Sequence, residues 1–330
     1  MQPIDEPAGH PALARLALVG IRAPERLLAR GCLAARAHEE ERVADEAQHA
    51  LAQHRLARRL PAVLAPANVL DAPRAAGRSG STKELSLWHD VPLVAADGAP
   101  ESSTPTFNFV CEIPKCTRKK FEVATNEHVT PIKQDTKKGV LREFKKGDIF
   151  FNYGCFPRTW EDPRHVSPDT GYPGDNDPLD VCEIGLRQIQ TGEIRAVKVL
   201  GVLAMIDDDE TDWKIVAIDA ADRWASELND VGDVERLLPG TVSLIREWFR
   251  TYKIPDGKPP NKFALGEECK GAAYAHKVIH ETHEAWVNLV KTQVGADFGC
   301  QLPKVETLRD VDVDTTLVRS LSGNNLAASG

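Results

Sequence analysis

Asp175-Asn176-Asp177-Pro178-Leu179-Asp180 puts three carboxylates into six residues. Asp207 and Asp212 follow, the latter inside Glu210-Thr211-Asp212-Trp213-Lys214. Like charge at this density repels itself, so a fold that gathers it needs a counter-charge. Hard divalent cations such as Mg²⁺ take oxygen ligands and supply one. Pro178 keeps the segment out of a helix, which leaves the aspartates on a turn or a strand entry. From there they can converge on one point. The D-x-[DN]-x-[DN]-G calcium loop does not fit, because its fifth and sixth positions are Leu179 and Asp180. The remaining alternative for this motif alone is a solvated acidic turn.

The rest of the chain narrows the setting. Its 330 residues carry a formal net charge of -8 at pH 7, and the pI is near 5.7. That balance argues against sequence-independent nucleic-acid binding, which needs a basic footprint. It leaves room for a local basic pocket. Seven widely spaced cysteines without a CxxC motif read as a reduced, intracellular set. No run approaches the roughly 18 apolar residues of a membrane span.

Residues 1–82 stand apart, with eleven arginines, many alanines and no lysine. That bias resembles an organelle transit peptide. Glu39-Glu40-Glu41 and Asp45-Glu46 are too acidic for a clean one unless they lie beyond a cleavage site. The alternative is a poorly ordered extension without function. Residues 83–302 are expected to hold the globular domain, starting near Trp88, with 303–330 as a weakly patterned tail.

Alternation at Phe107, Phe109, Cys111 and Ile113 predicts a strand. Further strands are expected over Asp148–Tyr153, Asp180–Ile184, Arg195–Ile206 and Trp213–Asp219, separated by Gly/Pro/Asp turns. Leu238, Val242, Ile245, Trp248, Phe249 and Tyr252 keep helical spacing. So do Ala275, Val278, Ile279, Thr282, Ala285, Trp286 and Leu289. Strands first and helices after suggest α+β, or a mainly β barrel with helices packed outside.

Cations accompany the carboxylates. Lys120, Arg142, Lys214 and Lys253, with tyrosine hydroxyls nearby, are the donors a phosphate clamp needs. Each alone would be read as a surface ion pair. Both sets together point to metal-bridged phosphate chemistry. His280-Glu281-Thr282-His283 lacks the second histidine spacing of HExxH, because residue 284 is glutamate. It is expected to be a solvent-facing helix surface. Gly171-Tyr172-Pro173-Gly174 is a turn, and no GxxxxGK[ST] phosphate loop exists. No cysteine has an evident base partner.

Taken in order, these segments resemble the first family of soluble inorganic pyrophosphatases, in its longer eukaryotic form. The resemblance rests on Gly174 to Val181, Glu112-Ile113-Pro114, Lys120-Phe121-Glu122, Gln134 to Gly139, Asn152-Tyr153-Gly154, Thr159 to Pro163, Glu210 to Lys214 and Tyr252 to Pro259. It runs from about Trp88 to Trp286. It implies a five-stranded OB-like closed β-barrel with flanking α-helices, a likeness in assembly to homodimers, and hydrolysis of diphosphate to two phosphates with several Mg²⁺ ions. Carried over, Asp175, Asp180 and Asp212 would hold the first metal. Asp180, Asp207, Asp212 and Glu122 would serve further ones, with Glu112 beside the acidic cavity. Asp177 would take the proton of the attacking water. Lys120, Arg142, Tyr153, Tyr252 and Lys253 would bind phosphoryl oxygens, and Lys214 would support the aspartates.

The resemblance also implies a cytoplasmic protein, or a plastid or mitochondrial one if residues 1–82 are a transit peptide. Two departures stand out. Ile149 replaces a tyrosine proposed as proton donor in the eukaryotic members, and the preceding segment Glu143–Asp148 is shorter. Lys115-Cys116 replaces an Arg-Trp pair at the dimer contact. Two rival readings remain. A non-catalytic scaffold should have lost an aspartate, and none is missing. A nucleotide phosphohydrolase should show a base-stacking or phosphate-loop element, and none is visible.

Overall fold

The alternating run at Phe107 does form a strand, and the sheet is built outward from it. The computed structural model describes residues 84–95 and 105–303. The 1–82 extension and nearly all of the 303–330 tail lie outside the described residues. In chain order the elements are β1 (Phe107–Ile113), β2 (Phe121–Val123), β3 (Ile132–Gln134), β4 (Thr136–Lys137), β5 (Val140–Leu141), β6 (Asn152–Cys155), β7 (Asp180–Glu183), β8 (Ile194–Asp207) and β9 (Glu210–Asp219). Then come α1 (Val231–Leu237), α2 (Thr241–Thr251), β10 (Lys262–Phe263), β11 (Lys270–Gly271) and α3 (Ala272–Thr292).

Strands β1, β6, β7, β9 and β8 pair in that order, and β8 pairs back to β1. Their hydrogen bonding therefore runs around a ring. All of these pairings are antiparallel except β7 with β9. Such a ring leaves few open strand edges, the liability of an exposed sheet. Gly154 is required where β6 meets β1: a Cβ there would come within 2.0 Å of the Val110 carbonyl oxygen.

Helices cover the sheet through their apolar stripes. Ala275, Val278 and Ile279 of α3 pack with Phe109, Val181, Val199 and Ile215. Val242, Ile245, Trp248 and Phe249 of α2 pack with Phe151, Leu203, Val216 and Ile218. A third cluster joins Trp88, Trp160 and Trp286. Each fully buried aliphatic side chain contributes about 1.5–3 kcal/mol. No described helix is long and apolar enough to cross a membrane, and the six described cysteines are unbridged.

Three expectations need correction. The strand expected over Asp148–Tyr153 starts only at Asn152. Asp148 to Phe151 instead forms a connection whose Ile149 and Phe151 side chains plunge into the core. Apolar spacing reported burial there and not strand pairing. The helix expected from Leu238 begins at Thr241, because Leu238 caps α1 and Gly240 takes a left-handed φ of 83° between the helices. His280 to His283 is a solvent face only in part: Glu281 is exposed and His280 half-buried. Thr282 and His283 are buried, and the His283 ring stacks on Trp286 with Nδ1 against the Arg158 carbonyl oxygen at 2.7 Å. The wide apolar stripe of this 21-residue helix takes in more of its circumference than the sequence suggested.

Candidate active site

Non-local pairing brings the acidic turn and the strand hairpin together. The parallel register of β7 on β9 sets Asp180 opposite Lys214. A bridge between Gly174 and Thr211, with the Thr211 N–H donating to the Pro173 carbonyl oxygen at 2.6 Å, brings Asp175 beside Asp212. The segment around Glu161 runs alongside. Glu161 N–H donates to the Asp177 carbonyl oxygen at 3.0 Å, and Asn176 N–H to the Glu161 carbonyl oxygen at 2.9 Å. Gly174 permits this approach, since a Cβ there would lie 2.4 Å from the Glu161 carbonyl carbon.

Lys214 occupies the centre. It is almost wholly buried, and its ammonium donates to Asp180, to Asp212 and to the Tyr153 hydroxyl oxygen at 3.0 Å. Burial opposes its charge, but Asp180 and Asp212 outweigh that and hold its pKa well above the usual lysine value. The Tyr153 hydroxyl donates to Asp180 Oδ2 at 2.5 Å. Burial first, and Asp180 second, push that phenol's pKa well up, so it stays a donor.

Burial pushes Asp212 up to about 7, with Asp180 adding to it while Lys214 pulls the other way. Asp175 is raised well above the carboxylate range by burial and then by Asp212 and Asp177. Asp177 is also pushed up to about 7, first by burial and then by Glu122 and Asp180. Asp177 is exposed, however, so water screens it. Glu112 is enclosed, accepts from Val123 N–H at 2.7 Å, and is raised by burial and then by Asp180.

Two cationic clamps flank these carboxylates. In one, Lys120 donates to Glu122 and to Asp135 Oδ2 at 3.3 Å, and Arg142 donates to Asp135. Burial works against the Lys120 charge, and Glu122 restores it to a net raised pKa. In the other, the Tyr252 hydroxyl donates to Asp207 Oδ2 at 2.9 Å, and Lys253 donates to Asp207 and to Asp208 Oδ2 at 3.2 Å. A cavity of about 410 Å³ lies between, lined by Arg142, Lys253 and Lys258 with Asp208. Ile149 offers no group to this cleft, being 1% exposed within the core.

Two acidic residues escaped the sequence reading. Asp135 joins Lys120 to Arg142. Glu161 is the second. Among the described residues, Glu161, Asp175 and Asp212 each offer an oxygen within 4.8 Å of the others. Around an octahedral Mg²⁺ ion adjacent oxygens lie about 3 Å apart and opposed ones about 4.2 Å, so the three carboxylates would draw inward on an ion. Glu161 is 3% exposed, and its Oε1 accepts from Trp213 N–H at 3.0 Å. Its Oε2 is buried with no hydrogen-bond partner, the condition an oxygen-seeking cation relieves. Asp180 is turned towards Tyr153 and Lys214 and is not in this group.

A family model described as Inorganic pyrophosphatase matches residues 109–287. An inorganic pyrophosphatase from Yarrowia lipolytica is 47% identical over 249 residues, 74% of this chain and 85% of that protein. A chloroplastic soluble inorganic pyrophosphatase from Arabidopsis thaliana is 54% identical over 218 residues, covering 66% of this chain and 70% of its own length. Among solved structures, a recombinant inorganic pyrophosphatase from T brucei brucei superposes with a TM-score of 0.63 at 48% identity, over 65% of this chain and 64% of that one. An N-terminally truncated vacuolar soluble pyrophosphatase from Trypanosoma cruzi, solved in complex with PPi, gives 0.61 at 47% identity, over 64% of this chain and 82% of that one.

Proposed function

Because the chain belongs to the inorganic pyrophosphatase family, we propose that it hydrolyses diphosphate to two phosphates with Mg²⁺, by direct attack of water and without a covalent intermediate. The observation that carries this is the convergence of Glu161, Asp175 and Asp212 beside two cationic clamps. An all-oxygen donor set with one unpartnered buried oxygen fits a hard divalent cation. Asp175, Asp180 and Asp212 would hold the first ion, with Glu161 adjoining, and Asp207, Glu122 and Glu112 would bear on those that accompany substrate. Bound there, magnesium supplies positive charge against the diphosphate and lowers the pKa of water.

The chain's own side chains do the rest. Lys120, Arg142 and Tyr153 on one side and Tyr252 and Lys253 on the other would exchange their carboxylate partners for phosphoryl oxygens. Guanidinium and ammonium donors then withdraw charge from the leaving phosphate. Lys214 keeps Asp180 and Asp212 together without entering the cleft. Asp177 takes a proton from the attacking water. With Ile149 buried, no side chain at that position donates to the leaving group.

Phosphate release from diphosphate tests the reading directly. Release should be fast in Mg²⁺, absent in EDTA, and at least a hundredfold slower with ATP. No release at any Mg²⁺ concentration would end it in favour of the scaffold alternative.

The carboxylates also set a pH signature. Burial pushes the folded pKa of Asp212 from 3.8 up to about 7. Raised values stabilise the metal-free fold below about pH 4, and that stability is lost as pH rises through 7. His89 runs the other way: burial lowers its pKa from 6.5 to about 4, so its contribution is lost as pH falls through that range. His89 is common to both metal states and cancels in their difference. The gain in Tm on adding Mg²⁺ should therefore grow from pH 4 to pH 7. A gain that stayed flat or shrank, followed by scanning calorimetry, would contradict the assignment of Asp212 as a ligand.

The ring of strand pairings supports reading the sheet as a closed five-stranded OB-like barrel. A homodimer and a cytoplasmic address, or a plastid or mitochondrial one, complete the proposal. Sedimentation reads the first, and the N-terminal mass of the native protein reads the second.

A further inference from the structure

Asn176 lies between two of the aspartates and points away from their task. Its backbone is left-handed, with φ at 73°. Its side-chain Oδ1 accepts from the Trp160 indole N–H at 3.1 Å and faces the Cys300 thiol at 3.6 Å. Its Nδ2 donates to the Phe298 carbonyl oxygen at 3.1 Å. One amide therefore joins the aspartate turn to the Trp160 segment and to the stretch that follows α3.

That following stretch is itself tied down. A 3-10 turn over Val294–Phe298 ends with Cys300 N–H donating to the Gly295 carbonyl oxygen at 2.8 Å. Gly295 packs so closely on Leu302 that a Cβ would meet it at 2.7 Å. Gln301 N–H reaches the Thr125 carbonyl oxygen at 2.7 Å, and its own carbonyl oxygen meets His89 Nε2 at 3.0 Å. The Phe298 ring stands edge-on to Trp160 at 5.6 Å. The hook is anchored to the rest of the fold at points remote from the aspartates.

We propose that Asn176 is a positioning residue: it clamps the Asp175-Asn176-Asp177 turn to Trp160 and to the hook at 294–301, and so sets the direction in which both flanking carboxylates face the cleft. The internal bond from Asp177 N–H to Asp175 Oδ1, 3.0 Å, couples the two aspartates once the middle residue is held. Partners that orient ligating carboxylates typically change metal affinity 10–100-fold when removed. The inference rests on the diphosphatase reading for its kinetic consequences and on the geometry alone for its metal-binding ones.

Asn176→Gly tests it, because glycine adopts the left-handed backbone at no cost while the clamp is deleted. Mn²⁺ titration of the substrate-free protein, followed by electron paramagnetic resonance, should show affinity falling 10–100-fold. At saturating metal, kcat should fall about tenfold while KM for diphosphate stays within threefold, since neither cationic clamp is touched. A merely structural role would lower Tm and leave Mn²⁺ affinity unchanged in the folded protein. Trp160→Phe keeps an aromatic ring while removing the indole donor together with part of the buried volume, and should weaken Mn²⁺ binding at least threefold. A folded Asn176→Gly protein with Mn²⁺ affinity and kcat within twofold of the parent overturns the proposal. If that variant does not fold, a folded Trp160→Phe protein with parental Mn²⁺ affinity does the same. A parent that releases no phosphate sinks the diphosphatase reading instead, and the Mn²⁺ titration still decides the clamp.

Discussion

Asp177→Asn is expected to slow phosphate release by about 10²–10⁴-fold while leaving the fold intact. Asparagine has the size of aspartate, and the backbone N–H that donates to Asp175 Oδ1 is unaffected. What disappears is the proton acceptor. Asp177 suits that role because it is exposed, and because burial, then Glu122 and Asp180, raise its pKa, an effect that solvent at the carboxylate reduces. A carboxylate with a raised pKa is still ionised near neutral pH and has more proton affinity than a free one. The measurement is kcat at saturating Mg²⁺ and diphosphate, with circular dichroism to confirm folding. A folded variant within threefold of the parent would mean that another group accepts the proton.

The second large effect falls on stability. Lys214→Met should cost about 3–5 kcal/mol in the metal-free protein. Methionine fills the same unbranched volume, so little of this is cavity. The loss comes from Asp180 and Asp212, which keep their burial and lose the ammonium between them. Tyr153 and Phe249, whose rings lie 5.5 and 5.1 Å from that ammonium, lose a cation as well. Divalent metal should restore part of the loss by replacing the missing charge. Urea unfolding with EDTA and with Mg²⁺ gives both numbers. A metal-free loss below about 1 kcal/mol would show that the pair contributes no more than a surface ion pair.

Much of the chemistry could be read in one dimension. Asp175, Asp177, Asp180, Asp207 and Asp212 announce themselves by density, and Pro178 excludes the helix that would scatter them. The long strands β8 and β9 and the helices α2 and α3 followed from apolar patterning, because one face of each packs against the sheet. Short pairings were invisible. Strands β2 to β5 span two or three residues each, too few to show a period.

Glu161 shows where sequence reading stops. It stands in the Thr159 to Pro163 segment that carries the resemblance, but nothing in that segment marks it as a partner of Asp175 and Asp212. It reaches Asp175 only because its backbone pairs with Asn176 and Asp177, which lie well beyond it in the chain. Asp135 is similar, since its partners Lys120 and Arg142 come from either side of two short hairpins. Ile149 was noticed as a departure, yet only packing revealed that its side chain belongs to the core.

Which charges exist, which segments bend and which faces are apolar are properties of residues and their near neighbours, so they are legible in one dimension. The tertiary structure decided which charges meet. Asp180 faces Lys214 through the parallel register of β7 on β9, and Asp175 reaches Asp212 through the bridge at Gly174. Those meetings depend on backbone hydrogen bonds between distant segments, and a register shifted by one residue would turn each side chain to the opposite face.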